Sequence, residues 1–241
     1  MKRAFVIMKD NHGKVNIMRH INILGVTLKD YSVKESMKLL DQYLNNGGLN
    51  TASYVSTQML VTAGKDENVK STLESFDITV LAELDILHAA EITLRSRIHE
   101  VENNEFMNEL LKKLVRTKKT IYLLGNTEQE LDNLEAYLRD YQEHITIVGK
   151  YANEELNRDA VINDINSVAP TVIISKLPFD TQQPFLGEER KMINGELWLV
   201  LTSDTVKPFN KKRNPFYRMA RYIYHKLFKR KVNKYKNEKA E

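Results

Sequence analysis

Along this 241-residue chain, short apolar runs rich in β-branched residues alternate with longer stretches in which apolar positions recur at helical spacing. The clearest unit spans residues 117–149. Thr120 to Leu124 forms an apolar run that meets Gly125, and Thr127 with Glu130 has capping-box spacing, so the stretch predicts strand, tight turn and helix. Leu131, Leu134, Tyr137, Leu138 and Tyr141 continue as a helical stripe, and the run Ile145 to Val148 closes at Gly149. Two strands joined by one helix make a βαβ unit, whose natural home is a parallel sheet.

The pattern repeats on both sides. Ile21 to Gly25 predicts a strand, and Ser32-Val33-Lys34-Glu35 is a capping box opening a helix with Val33, Met37, Leu40 and Leu44 on its buried stripe. Asn46-Gly47-Gly48 stops that helix. Next come a strand near 53–56, a helix from about 58 to 76, a strand at 78–81 running into Glu83-Leu84-Asp85, and helices over 85–99 and 104–116. After the central unit the spacing predicts a helix over 153–166, a strand over 171–175, a polar loop over 178–184 and a last strand over 197–201. Residues 1–20 read as a loosely attached extension or an added edge strand. The expectation is an α/β fold with a mostly parallel sheet and helices on both faces, divided into an extension (1–20), a main domain (21–206) and an appendage (207–241).

Charge changes this picture at one end. Residues 207–241 hold thirteen Lys/Arg against Glu238 and Glu241, whereas the rest of the chain holds 23 basic and 30 acidic side chains. An acidic body with a basic tail points to an anion as the tail's partner, and the candidates are membrane lipid, a diphosphate, nucleic acid or an acidic protein. From Pro215 the tail predicts a helix with Phe216, Ala220, Ile223 and Leu227 on one side and Arg218, Arg221, His225 and Lys229 on the other, flanked by Tyr217, Tyr222 and Tyr224. A basic amphipathic helix with interfacial aromatics fits a membrane surface; the alternative is a terminal helix that docks its apolar face on the body. Nucleic acid ranks last because the apolar face is continuous. The absence of cysteine excludes a disulfide framework and a thiolate metal site. No apolar stretch approaches about 18 residues, so neither a spanning helix nor export is expected.

Most generic motifs are missing: no GxGxxG, no P-loop lysine, no HxxxH ligand spacing and no GxSxG elbow occurs. Glu83 and Asp85 lie just past a predicted strand end, where open α/β sheets place their ligand crevice. Carboxylates there can act as a general base or hold a divalent ion on a diphosphate, although acids also favour any helix start. Gly125-Asn126 at a helix mouth can cradle a phosphate, although many strand–helix turns use a glycine. The stretch Phe179 to Gln183 brings further hydrogen-bonding groups to a third strand end.

With these residues in view, the chain resembles the WecG/TagA/CpsF family of bacterial glycosyltransferases over about residues 21–229. The matching pieces are Ile21 to Val26, Tyr54 to Val61 with Lys65-Asp66, Asp77 to Asp85, Ile121 to Gly125, Ile145 to Tyr151, Leu177 to Leu186 and Lys212-Arg213-Asn214-Pro215. The resemblance implies a Rossmann-like, metal-independent transferase with no cofactor beyond its co-substrate. It would move an N-acetylmannosamine-type sugar from a UDP donor to a polyprenyl-diphosphate-linked acceptor, for teichoic acid, enterobacterial common antigen or capsule. It would work in the cytoplasm, peripherally on the anionic inner membrane face, as a homo-oligomer or with a pathway partner protein. Carried over by position, Glu83 and Asp85 take the catalytic place. Ser56, Gly125, Asn126, Gln182 and Gln183 take the donor site, and Arg213, Arg218 and Arg221 the acceptor diphosphate. The family's Thr-x-Asn is Tyr54-Val55-Ser56 here, and its Asp-Gly-Ile-Gly turn is Glu83-Leu84-Asp85-Ile86. The loss of both glycines keeps open a second reading, a membrane-associated scaffold or regulatory partner without chemistry.

Overall fold

A computed structural model describes residues 4–9, 15–153, 157–201 and 215–238. Its centre is a six-stranded sheet made of β4 (Asn50–Val55), β5 (Ile78–Leu81), β6 (Thr120–Gly125), β7 (Thr146–Ala152), β8 (Val172–Ser175) and β9 (Leu197–Val200), in the order β5-β4-β9-β8-β6-β7. Every pairing is parallel. The α/β, Rossmann-like architecture expected from the alternating pattern is therefore present, because strands buried on both faces read as short apolar runs and their crossovers as amphipathic helices.

The helices divide between the faces. On one, α1 (Val33–Tyr43), α6 (Glu105–Arg116) and α7 (Glu128–Tyr141) contribute Leu40, Leu110 and Leu134 to a continuous core. The other core takes Leu60 from α2 (Thr57–Ala63), Leu73 from α3 (Glu67–Ser75), Val161 from α8 (Arg158–Val168) and Phe185 from α9 (Phe179–Leu186). It also covers Ile21, Ile23, Val26 and Leu28 of a separate antiparallel sheet, β1 (Ala4–Lys9), β2 (Val15–Ile23) and β3 (Val26–Lys29). Residues 4–9 and 15–20 thus lie in a sheet whose strand β2 continues past residue 20.

Three local expectations change. The helix expected over 58–76 is broken at Gly64, because Asp66 accepts from the amides of Asn68 and Val69 and starts α3 anew. The helix expected over 85–99 becomes α4 (Leu84–Ala89) and α5 (Arg95–Glu102), with Glu91 between them at φ 59°. The loop expected over 178–184 is α9. Polar side chains hide its helical spacing, and Gln182, Phe185 and Leu186 turn out to be its buried face. Within the central unit, Gly149 is required by packing: a Cβ there would lie 2.6 Å from the fully buried ring of Tyr122, its partner in register.

The C-terminal helix α10 (Pro215–Glu238) lies against α4 and the first turn of α2. Its inward side carries His225, Phe228, Val232 and Tyr235, and Phe228 and Val232 join the core. Of the expected apolar face, Ile223 and Leu227 are instead half-exposed, at 49% and 47%. The aromatic Phe228 wins the buried position over its aliphatic neighbour because it removes more apolar area from water. Of the other tail residues, Arg213 lies outside the described residues, and so do the side chains of Phe216, Tyr217, Arg218, Ala220, Arg221, Tyr222 and Tyr224.

Candidate functional site

All six parallel strands deliver their carboxyl ends to one edge, the edge where such sheets bind ligands. Ser56 follows β4 there, Glu83 follows β5, Gly125 ends β6 and Lys176 follows β8. Glu83 stands at the N-cap position of α4 with an extended backbone, yet makes no cap bond. Its carboxylate reaches across to the next strand end, where Thr57 donates its backbone N–H at 3.1 Å and its hydroxyl at 3.3 Å. Asp85, two residues on, is committed elsewhere: its Oδ1 lies 2.5 Å from His225 Nδ1 of α10. The structure thus separates two carboxylates that sequence spacing leaves equivalent. Glu83 belongs to the strand-end edge and Asp85 to the clasp on the appendage, which Lys236 reinforces by pairing with Glu91 at 2.7 Å.

At the same edge, beyond the first turn of α2, a crevice of about 550 Å³ opens between α2 and α9. Gln58, Met59, Asn126 and Pro178 line it with one cation, Lys176, and three acids, Asp66, Glu130 and Asp180. Lys176 is largely buried, and among the described residues its ion-pair partner is Glu130, loosely, with Oε1 at 3.9 Å. The Asn126 amide N–H, at the mouth of α7, donates to Glu130 Oε2 at 3.3 Å. One carboxylate thus stands where an incoming anion would meet both a backbone N–H and an ammonium group.

The remaining sequence-assigned positions fare unequally. Gly125 and Asn126 adjoin the crevice, but Ser56 is wholly buried and spends its hydroxyl capping α2, accepting from the Met59 N–H at 3.3 Å. Gln182 is wholly buried too: its Nε2 donates to the Leu177 carbonyl at 2.6 Å, and its Oε1 accepts from the Trp198 indole at 3.2 Å. An amide buried in the core and bonded at both ends ties α9 to β9 and does not face the crevice edge as a free group. Gln183 reaches Thr72 of α3 at 3.5 Å. Sequence reasoning passed over Lys176, whose only signal is a cation placed directly after an apolar strand.

A family model for the WecG/TagA/CpsF glycosyl transferases matches residues 21–202, from β2 past the end of β9. The chain belongs to this family. No curated protein matches it individually. The part matched to the WecG/TagA/CpsF glycosyltransferases includes Glu83, its Thr57 clamp and the whole crevice, and stops before α10. Among the described residues, no helix is long and apolar enough to cross a membrane.

Proposed function

We propose that this glycosyltransferase moves an N-acetylhexosamine of the N-acetylmannosamine type from a UDP donor to a polyprenyl-diphosphate-linked sugar, in the synthesis of a teichoic acid, capsule or related surface polymer. One observation carries the reading. The first turn of α2 joins a carboxylate to the crevice, because Thr57 holds Glu83 while Gln58 and Met59 line the cleft that contains Lys176. Glu83 takes the proton from the acceptor hydroxyl, and the freed oxygen bonds to the anomeric carbon. The bond from that carbon to the UDP oxygen breaks, and the charge left on the diphosphate meets Lys176 and the Asn126 N–H. The UDP-sugar is the co-substrate, and no further cofactor enters the scheme.

Calorimetric titration with UDP tests the donor half. Binding is expected, and Lys176→Ala is expected to weaken it about tenfold or more, the worth of one charge-assisted contact. No heat with the unmodified chain would overturn the donor site and leave the scaffold reading in its place.

The appendage supplies the membrane half of the proposal. Ile223 and Leu227 form an outward apolar ridge next to the exposed cations Lys226, Lys229 and Arg230, a surface suited to anionic lipid at the inner membrane face. Arg213, Arg218 and Arg221 are assigned to the acceptor diphosphate by resemblance alone. The double variant Ile223→Ser, Leu227→Ser, made in the full chain, is expected to bind phosphatidylglycerol vesicles about tenfold more weakly, since two half-exposed aliphatic side chains lose their apolar burial. Equal flotation of the two proteins would show that α10 is only a structural clasp.

A further inference from the structure

Strand β1 stands at the margin of the antiparallel sheet, whose order is β1-β2-β3. It pairs with β2 from Ala4↔His20 to Lys9↔Val15 without a shift in register, while β3 pairs with β2 only from His20 to Ile23. Among the described strands, β1 and the stretch from Val15 to Arg19 therefore form a two-stranded ribbon, and such a ribbon is marginally stable in water. Its outer edge also lacks the devices that keep sheet edges apart. From Ala4 to Met8 the strand reads Ala-Phe-Val-Ile-Met, with no charge, no proline and no bulge. The ribbon lies before residue 21, outside the part of the chain matched to the family.

Which main-chain groups face outward follows from the neighbouring strands. The Asp30 N–H, just past β3, donates to the Arg19 carbonyl at 2.8 Å. Arg19 thus turns its main-chain groups toward β3. Because these groups alternate along a strand, Asn16, Met18 and His20 turn theirs toward β1. Directly opposite residues bond as pairs, so Ala4, Val6 and Met8 are spent on β2. Phe5, Ile7 and Lys9 then point their N–H and C=O groups out of the sheet, where no described strand pairs with them.

We propose that this edge is a dimer interface, in which β1 pairs antiparallel with β1 of a second copy of the chain and joins two three-stranded sheets into one of six strands. A two-fold axis allows only registers centred on a residue, because a residue whose main-chain groups face the partner must meet another of the same kind. Two such registers overlap the strands most. Centring on Val6 sets Lys9 opposite Arg3, which precedes the strand in sequence, like charge against like. Centring on Ile7 sets Ile7 against itself and Lys9 against Phe5, a ring that accepts both the lysine stem and its charge. This second register also bonds Phe5, Ile7 and Lys9 to Lys9, Ile7 and Phe5 of the second copy, so every outward main-chain group of β1 gains a partner. The strand is its own complement, which selects a second copy over an unrelated protein.

Sedimentation velocity on the full chain over a series of micromolar concentrations tests the proposal, and a concentration-dependent dimer is expected. Ile7→Pro removes an outward N–H and leaves the bonds between β1 and β2 in place. It should raise the dimer dissociation constant about tenfold or more, with an unchanged circular-dichroism spectrum. Because the chain has no cysteine, Ile7→Cys introduces one thiol per copy. In the register centred there the two Cα atoms stand about 5.5 Å apart, within disulfide reach. Oxidation should yield a covalent dimer, and Val6→Cys should cross-link far more slowly. A monomer at every concentration would overturn the interface, and so would a dimer that Ile7→Pro leaves intact or that Ile7→Cys does not cross-link. UDP titration of Ile7→Pro reads the crevice separately, so a failed donor site and a failed interface are told apart.

Discussion

Replacing Glu83 with glutamine is expected to lower sugar transfer by about two to four orders of magnitude, the usual contribution of a general base. The substitution is nearly isosteric, and the amide carbonyl can still accept from Thr57, so α2, α4 and the crevice between α2 and α9 keep their arrangement. What disappears is the ability to take a proton. UDP affinity should therefore stay within about twofold, because Lys176 and Asn126 are untouched, and the loss should fall on kcat. Asp85→Asn makes the informative contrast. That carboxylate is held by His225 of α10, so its change should loosen the appendage and reduce transfer far less. The measurement is transfer of labelled N-acetylhexosamine from its UDP donor to a polyprenyl-diphosphate-linked acceptor. If the Glu83→Ala, Asp85→Ala double variant still turns over like the unmodified chain, neither carboxylate is the base and the catalytic reading is lost.

Trp198→Ala is expected to cost about 3–5 kcal/mol, a large part of the 5–15 kcal/mol that holds an ordinary domain together. Trp198 is wholly buried on β9 and stacks on Phe185 with ring centroids 5.4 Å apart and planes 19° from parallel. Its indole N–H is also the donor to Gln182 Oε1, so truncation opens a cavity and strands a buried carbonyl as well. Trp198→Phe separates the two effects. It keeps an aromatic ring against Phe185 and removes the donor, and about 1–3 kcal/mol should be lost. Urea denaturation of both variants measures this through the midpoint at constant slope. If Trp198→Phe were as stable as the unmodified chain, Gln182 would not be holding α9 to β9, and its side chain would again be available to a ligand.

How much of this was legible in the sequence differs between the fold and the site. The βαβ unit at 117–149 lies within a few residues of its expected bounds, because capping box, stripe and closing glycine are all local. Strands β8 and β9 were readable because each is a short, uninterrupted apolar run. The breaks at Gly64 and near Glu91 were not, since a helical stripe continues across each of them and only the competing cap at Asp66 and the left-handed Glu91 reveal the interruption. The sheet order β5-β4-β9-β8-β6-β7 is likewise absent from the pattern, because periodicity identifies strands but not their neighbours.

By itself, the sequence determined the α/β class, the parallel sheet and the pair of acids just past the end of β5. Tertiary structure decided which of those groups remain open to a ligand. It gave Asp85 to His225, turned Gln182 and Ser56 into internal ties, brought Lys176 to Asn126, and drew Asn104 away from its helix to meet tyrosines 50 residues earlier and 33 and 37 residues later. The physical reason is that spacing carries information about faces only within one element. Whether a polar side chain is spent or free depends on partners from distant strands, and those meet only when the sheet assembles.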